Sequence, residues 1–256
     1  IMPSLVGSEM CIRDRVYSFT DSPNIGAIHS FSFHNYVTLF TTPELIDMII
    51  GSIALAIGSA VLATILGTTG AIGAFYSKKN VNGTMSVLNQ IPVVNADVVT
   101  GFSLCILLVV VFGVSKNTYI PLVIGHTVLS APFVYLAVVP KLKQMDPSLY
   151  EAALDLGATP GYTLIHIIIP QIASGIISGF VMAVTLSLDD YFVATYTKPA
   201  TFDTISTYVV NATKGSQTNI RTALWALSTI IFLIVVIVEV VMNFAPIKNE
   251  AQKEKH

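Results

Sequence analysis

The sequence predicts an all-α fold, a polytopic bundle of membrane-spanning helices, and three observations carry that prediction. Of its 256 residues, 53% are hydrophobic and 11% charged, with a mean hydropathy of +0.72; ordinary soluble domains are far more polar. Five stretches, residues 49–75, 86–113, 119–140, 164–187 and 222–244, each supply the roughly 20 mostly apolar residues that a helix needs to cross a bilayer. The lysines between them are unevenly shared. Lys78, Lys79, Lys141, Lys143, Lys248, Lys253 and Lys255 fall on one side, and, with Arg13 and Arg15 excluded, Lys116, Lys198, Lys214 and Arg221 on the other. The positive-inside rule makes the richer side, with the C-terminus, cytoplasmic. A formal net charge of -2, with no basic stripe, excludes nucleic-acid binding. Cys11 and Cys105 form neither a disulfide framework nor a CxxC site.

In chain order, "IMPSLVGSEMCIRDR" (1–15) has neither a spanning run nor the basic-apolar-small order of a signal peptide. It is expected to be non-native, translated adapter sequence, with native sequence resuming near Val16 and an upstream span lost. From Val16 the chain is polar and aromatic, an external loop with a short helix near Phe33 to Phe40. In the first span Ala54 and Gly58, Ala56 and Ala60, and Gly70 and Ala74 are four apart, a spacing that lets helices approach closely in lipid.

The second span contains "NQIPVVNADVVTG". Pro92 removes a backbone hydrogen bond, and Asn89, Asn95 and Asp97 are polar at membrane depth, which is tolerated where the backbone faces protein or a water-filled path. A charge within a span marks a functional candidate, so Asp97 is a candidate for a transport path; the alternative is a tilted span that places it near the external end, or a hydrogen bond to a neighbouring helix. The third span holds Pro121, Pro132, Pro140 and His126. With no second His or Cys at metal-ligand spacing, His126 and His166 are assigned no chemistry.

Residues 146–170 carry two helix starts, Asp146 before Pro147 and Thr159 before Pro160, with Gly157 between them as a helix-ending residue. On the first helix Leu149, Ala152, Ala153 and Leu156 are expected to form one apolar stripe, while Glu151 and Asp155 set two like charges side by side. That is the profile of a helix that docks into a groove on another protein and is relieved by a basic partner. At the external end of the fourth span stand Asp189 and Asp190, with Tyr191, Phe192 and Tyr196 beside them. A carboxylate pair among aromatics fits a cation gate; a pair of caps at the water boundary fits equally well.

"EAALDLG" followed by "IIIP" resembles the EAA motif of permease subunits of ABC importers, matched by Glu151, Ala152, Ala153, Gly157 and Pro170. The resemblance implies that this segment, with Asp155 on its face, is a coupling helix seated in a cytoplasmic ATPase. "LSLDDYFVATYTKPATFDTISTYVV" and "NADVV" are similar to the permeases of spermidine/putrescine importers of the PotC type, in which a Ser-x-Asp-Asp sequence closes the fifth of six spans. The similarity runs from about Val16 to Asn243. It implies a type I ABC importer transmembrane domain over residues 16–246, five visible spans of an expected six, with a cytoplasmic tail at 247–256, in a bacterial inner membrane. It moves Asp97, Ser187, Asp189, Asp190 and Tyr191 towards a role in a polyamine path or gate.

No GxxxxGK[ST] loop occurs, and "GTTGAIG" lacks the lysine and lies within a span, so ATP is expected to be hydrolysed by a partner and no cofactor or metal is expected in this chain. The resemblance implies an ATPase pair holding ATP and Mg, a second and different permease subunit, and a periplasmic or lipid-anchored solute-binding protein. A permease for iron, a phosphonate or an amino acid is the alternative within the class, although the carboxylates argue against anionic cargo. A secondary transporter is disfavoured by the lack of an internal repeat, and a membrane enzyme by the lack of a nucleophile-base or metal constellation.

Overall fold

In the computed structural model the described residues are 19, 34–146, 148–214, 227, 229, 230, 233 and 236. The expected non-native leader (1–15), nearly all of the fifth span (222–244) and the tail (247–256) lie outside them. The chain divides into two compact units, Ile1–Ser52 with Thr204–His256, and Ile53–Asp203.

The first unit contains α1 (His34–Thr41), the start of α2 (Pro43–Tyr76) and, towards the other end of the chain, a helix at Ile205–Lys214. Leu39, Leu45, Met48, Ile205 and Leu227 bury one another. The Ser52 hydroxyl accepts the Ile205 N–H at 3.0 Å. The α1 helix matches the short helix expected near Phe33 to Phe40.

The second unit begins with the rest of α2, the first span. Its Ala56, Ala60, Ala63, Ala71 and Ala74 are buried, whereas Ile53, Ile57, Leu62, Ile65 and Leu66 are exposed. This inverts a soluble helix, and lipid is the reason: hydrocarbon solvates large aliphatic chains as well as a protein core does, so close packing selects small residues. Ala56, Ala60 and Ala74 lie on the packed face, but nothing stands near Gly58, so the Ala54–Gly58 pair serves no described contact. Thr64 and Thr69 donate to the carbonyls of Ala60 and Ile65, each at 2.7 Å, which satisfies hydroxyls that lipid would leave bare.

The closest approach is at Gly67, where an added Cβ would stand 2.7 Å from Val134 Cβ and 2.8 Å from the Ala131 carbonyl oxygen. Gly67→Ala is therefore expected to destabilise the purified chain by about 1–3 kcal/mol, read as a lower thermal midpoint in detergent. Gly58→Ala is the matched control and should leave the midpoint in place.

Two of the expected spans are bent. The second is α3 (Lys79–Val94) and α4 (Asp97–Ile106), the latter continuing as a π-helical turn at Leu107–Val111, with 105° between the two arms. Pro92 has no N–H to continue the ladder, and the chain turns just beyond it, where Asn95 and Ala96 are extended. Asn89 donates to the Pro132 carbonyl at 3.2 Å, tying α3 to α5 (Ile120–Gln144). The fourth span, expected to be continuous over 164–187, is a correction. After α6 (Ser148–Asp155) come α7 (Pro160–Thr163), a π-helical turn (Leu164–Ile168) and α8 (Ile169–Gln171), then α9 (Ala173–Asp189) at 71°. Pro170 withholds the next N–H and the bend follows at Ile172. Among the described residues, α2 and α5 are each long and apolar enough to cross a membrane, and each bent pair passes the same test jointly.

The core of this unit is α9 packed along α5, with the small face of α2 against both. Gly175 lies on Lys141 and Gly179 on Val134, so α9 and α5 run antiparallel. Beyond α9, α10 (Phe192–Thr197) closes the opposite end, against α4 and the start of α5. We number Ile205–Lys214 α11.

Candidate functional site

Two groups of chemistry-bearing residues lie at opposite ends of the Ile53–Asp203 unit. At the Lys141 end, residues 146–170 fold as two caps around one turn. The Asp146 carboxylate accepts the Ser148 N–H at 2.9 Å and the Ser148 hydroxyl at 2.7 Å, starting α6. Those bonds hold the Asp146 carboxyl below its ordinary range, the backbone bond contributing most. A depressed carboxyl stabilises the fold above its unfolded pKa, so the cap is in place at neutral pH and is lost only as pH falls through the lowered value.

Gly157 ends α6 with φ +87°. Its N–H bonds to the Leu154 carbonyl at 2.9 Å and the Ala158 N–H to the Ala153 carbonyl at 3.1 Å, the paired bonds of a Schellman turn. Thr159 then caps α7 through the Tyr162 N–H at 3.4 Å. Both helix starts and the glycine stop are where the sequence placed them.

The expected apolar stripe on α6 is a correction. Ala153 is buried and Leu149 half-buried, but Ala152 is exposed and Leu156 is 89% exposed. The helix divides its apolar residues between two faces. Ala153 turns inward, and Tyr150 meets Tyr76 at the end of α2 with ring centroids 4.9 Å apart. Glu151, Ala152, Asp155 and Leu156 turn outward, an apolar patch beside two carboxylates. Pro170 is exposed beside the bend that follows the turn.

At the other end, Asp190 is 7% exposed. Its two oxygens accept the N–H groups of Val193 at 3.2 Å and Ala194 at 2.8 Å, so it caps α10. Asp189 and Asp97 are exposed, and the charge of each acts on Asp190. The structure thus brings Asp97 to the adjacent pair Asp189 and Asp190, from which the sequence separates it by more than ninety residues. Asp97 opens α4, where the helix N-terminus favours a negative charge. Tyr191 is half-buried and meets Phe192 edge-on at 5.2 Å, and Tyr196 meets Phe102 of α4 at 5.7 Å.

Ser187 is buried and turned from the exposed carboxylates. Its hydroxyl lies 2.8 Å from His126 Nδ1 and 3.2 Å from the Ser59 hydroxyl. His126 is fully buried, with Nε2 3.6 Å from Asp190 Oδ2. His126, assigned no chemistry from the sequence, stands at the centre of a polar chain from α2 through α5 to the end of α9. Spacing could not reveal this, because its partners lie on three distant segments. His166 is exposed and stacks on Tyr162 at 4.1 Å.

Residues 67–245 match the family described as binding-protein-dependent transport system inner membrane component. The chain belongs to that family. Among curated relatives, it is 30% identical to the spermidine/putrescine transport system permease protein PotC of Haemophilus influenzae, covering 86% of this chain and 83% of the relative. It is 31% identical to the putrescine transport system permease protein PotI of Escherichia coli, over 71% of this chain and 66% of that one. Among solved structures, a bacterial ABC transporter involved in the import of the acidic polysaccharide alginate superposes with a TM-score of 0.68 at 17% identity, covering 94% of this chain and 93% of that one. At that identity the likeness shows the fold, which is that of an ABC importer transmembrane domain. This permease is an inner membrane transport component, and its EAA-like segment and carboxylate cluster occupy opposite ends of one helical unit.

Proposed function

We propose that this permease subunit moves polyamines such as spermidine and putrescine inward, driven by a separate ATPase. The observation that carries the reading is the packing of α4 on α10 at Gly101 and Val193, which sets Asp97 where its charge, like that of Asp189, acts on Asp190, with Tyr191 next in the chain, at the end of the unit opposite α6. A flexible polycation needs carboxylates and aromatic faces that replace part of its water without trapping it. The names of the PotC and PotI relatives support the same cargo.

On this reading α6 is the coupling helix. Glu151, Ala152, Asp155 and Leu156 enter a cleft of the ATPase, Ala153 anchors the helix to its own bundle, and Gly157 and Pro170 fix its angle. Residues 16–246 form the permease domain, paired with a second, different permease subunit. A solute-binding protein delivers cargo from outside, ATP and Mg stay on the ATPase pair, and the C-terminus and α6 are cytoplasmic. Seven lysines on that side support the orientation.

The test is reconstitution of the permease with its ATPase, second permease and binding protein in proteoliposomes. ATP-dependent accumulation of labelled putrescine or spermidine is expected. Accumulation of an anionic or neutral solute, with none of either polyamine, would reject the cargo assignment.

A further inference from the structure

We propose that His126 is the positioning residue of the carboxylate cluster, its ring held by Ser187 and Ser59 so that an Nε2–H faces Asp190 and fixes the carboxylate that caps α10. The contacts on both sides of the ring are already unequal. Nδ1 has the Ser187 hydroxyl at 2.8 Å, whereas Nε2, fully buried, has no hydrogen-bond partner and faces Asp190 Oδ2 at 3.6 Å. A buried ring nitrogen left in that state needs an explanation.

Counting protons supplies it. Each serine hydroxyl has one hydrogen, and a neutral imidazole has one N–H. If Ser59 donates to Ser187 and Ser187 to Nδ1, the ring hydrogen sits on Nε2 and points at the carboxylate. In the reverse order Ser59 donates to the Ala56 carbonyl, also at 3.2 Å, Ser187 donates to Ser59, and Nδ1–H donates to Ser187. A bare Nε2 lone pair would then face a carboxylate oxygen in a buried, low-dielectric place, where such opposition is poorly screened. The first order is the one in which every dipole points towards Asp190. Its Nε2 to Oδ2 distance exceeds an ordinary N–H···O contact of about 2.9 Å by about 0.7 Å, so a small inward shift of Asp190 completes the bond.

A donor from α5 would hold the carboxylate from a second side. Asp97 and Asp189 both repel it, and the N–H groups of Val193 and Ala194 reach it from α10. The seat of α10 is also intolerant of drift. An added Cβ at Gly101 of α4 would stand 2.9 Å from Val193 Cα, and one at Gly125 of α5 would stand 2.8 Å from Val193 Cγ1. Holding Asp190 holds α10 against both helices, and with it Tyr196 and the mouth of the cluster.

The consequence for transport rests on the polyamine reading, whereas the ring geometry does not, and the experiment separates the two. In the intact complex with nitrogen-15 labelled histidine, His126 is assigned among the chain's 5 histidines by its loss in His126→Gln. The expected signature is the Nε2–H tautomer, displaced in Ser187→Ala and in Asp190→Asn. An Nδ1–H signature, or one unmoved by both substitutions, overturns the proposal. For uptake, His126→Leu is expected to slow polyamine entry about tenfold, the loss of one hydrogen bond to a charged group, at unchanged complex yield. His126→Gln, which can donate and accept at the two positions, should recover part of it. Wild-type uptake by His126→Leu at normal yield contradicts the role. If His126→Leu fails to assemble, failure of His126→Gln to exceed Ser187→Ala contradicts it instead. A wild-type complex that imports no polyamine removes the cargo assignment alone, and the ring signature still decides this proposal.

Discussion

Gly157→Val is expected to abolish transport while leaving the permease in the membrane. Gly157 turns the chain out of α6 at φ +87° and is, with Gly113, one of two glycines at positive φ among the described residues. A β-branched residue there carries at least the roughly 1–2 kcal/mol of left-handed backbone, with extra crowding at Cβ. The chain relieves it most easily by giving up the Schellman turn. Without the bonds to Leu154 and Ala153, α6 loses its stop and its outward face, Glu151, Ala152, Asp155 and Leu156, changes direction. The bundle core is untouched, because nothing lies near the Gly157 Cβ position; the damage is to aim and not to packing. Gly157→Asn should retain most function, since Asn tolerates this conformation better than other side chains, and Gly157→Ala should fall between. Glu151→Lys reverses an exposed charge without altering the turn and is expected to cause the same loss of transport and of ATPase co-purification. Wild-type transport in both Gly157→Val and Glu151→Lys would refute the docking role of α6.

The carboxylates are expected to separate into two kinds. Asp190 uses both oxygens on α10, and an asparagine offers only one acceptor and sets an amide NH2 against the other N–H. Although Asn is ordinarily a good cap, Asp190→Asn leaves a buried donor unpaired, at about 1–3 kcal/mol. It should therefore lower both the thermal midpoint of the complex and the uptake rate. Asp97 and Asp189 are exposed and cap nothing by a described side-chain bond, so Asp97→Asn and Asp189→Asn should slow uptake at unchanged yield and midpoint.

The parts of the structure legible in the sequence were those set by local rules. Asp146, Thr159 and Gly157 each announce a cap or a stop through their own backbone preferences, and all three act as expected. Apolar runs located the first four spans, but run length does not say whether a helix bends, so the 71° turn after Pro170 was missed although the proline itself was plain. The α6 stripe failed for a related reason. Leu156 follows the last helical residue and leaves the helical register with the Schellman turn, and Ala152 is small enough to tolerate exposure. His126 was illegible because its meaning lies in Ser59, Ser187 and Asp190, residues brought to it by the antiparallel packing of α5 and α9 against α2. Asp189 and Asp190 were found as a pair, yet only the fold tells the exposed one from the cap.

The most direct test of a cation path past this cluster is the initial rate of labelled spermidine uptake by complexes carrying Asp97→Asn or Asp189→Asn, with complex yield and ATPase co-purification measured alongside. These substitutions keep the side chain's size and remove one charge that a polycation in a poorly screened mouth should feel strongly. The account predicts slowed uptake in each, with yield and ATPase docking as in wild type. Near-wild-type rates in both variants at normal yield would contradict it and place Asp97 and Asp189 outside the path.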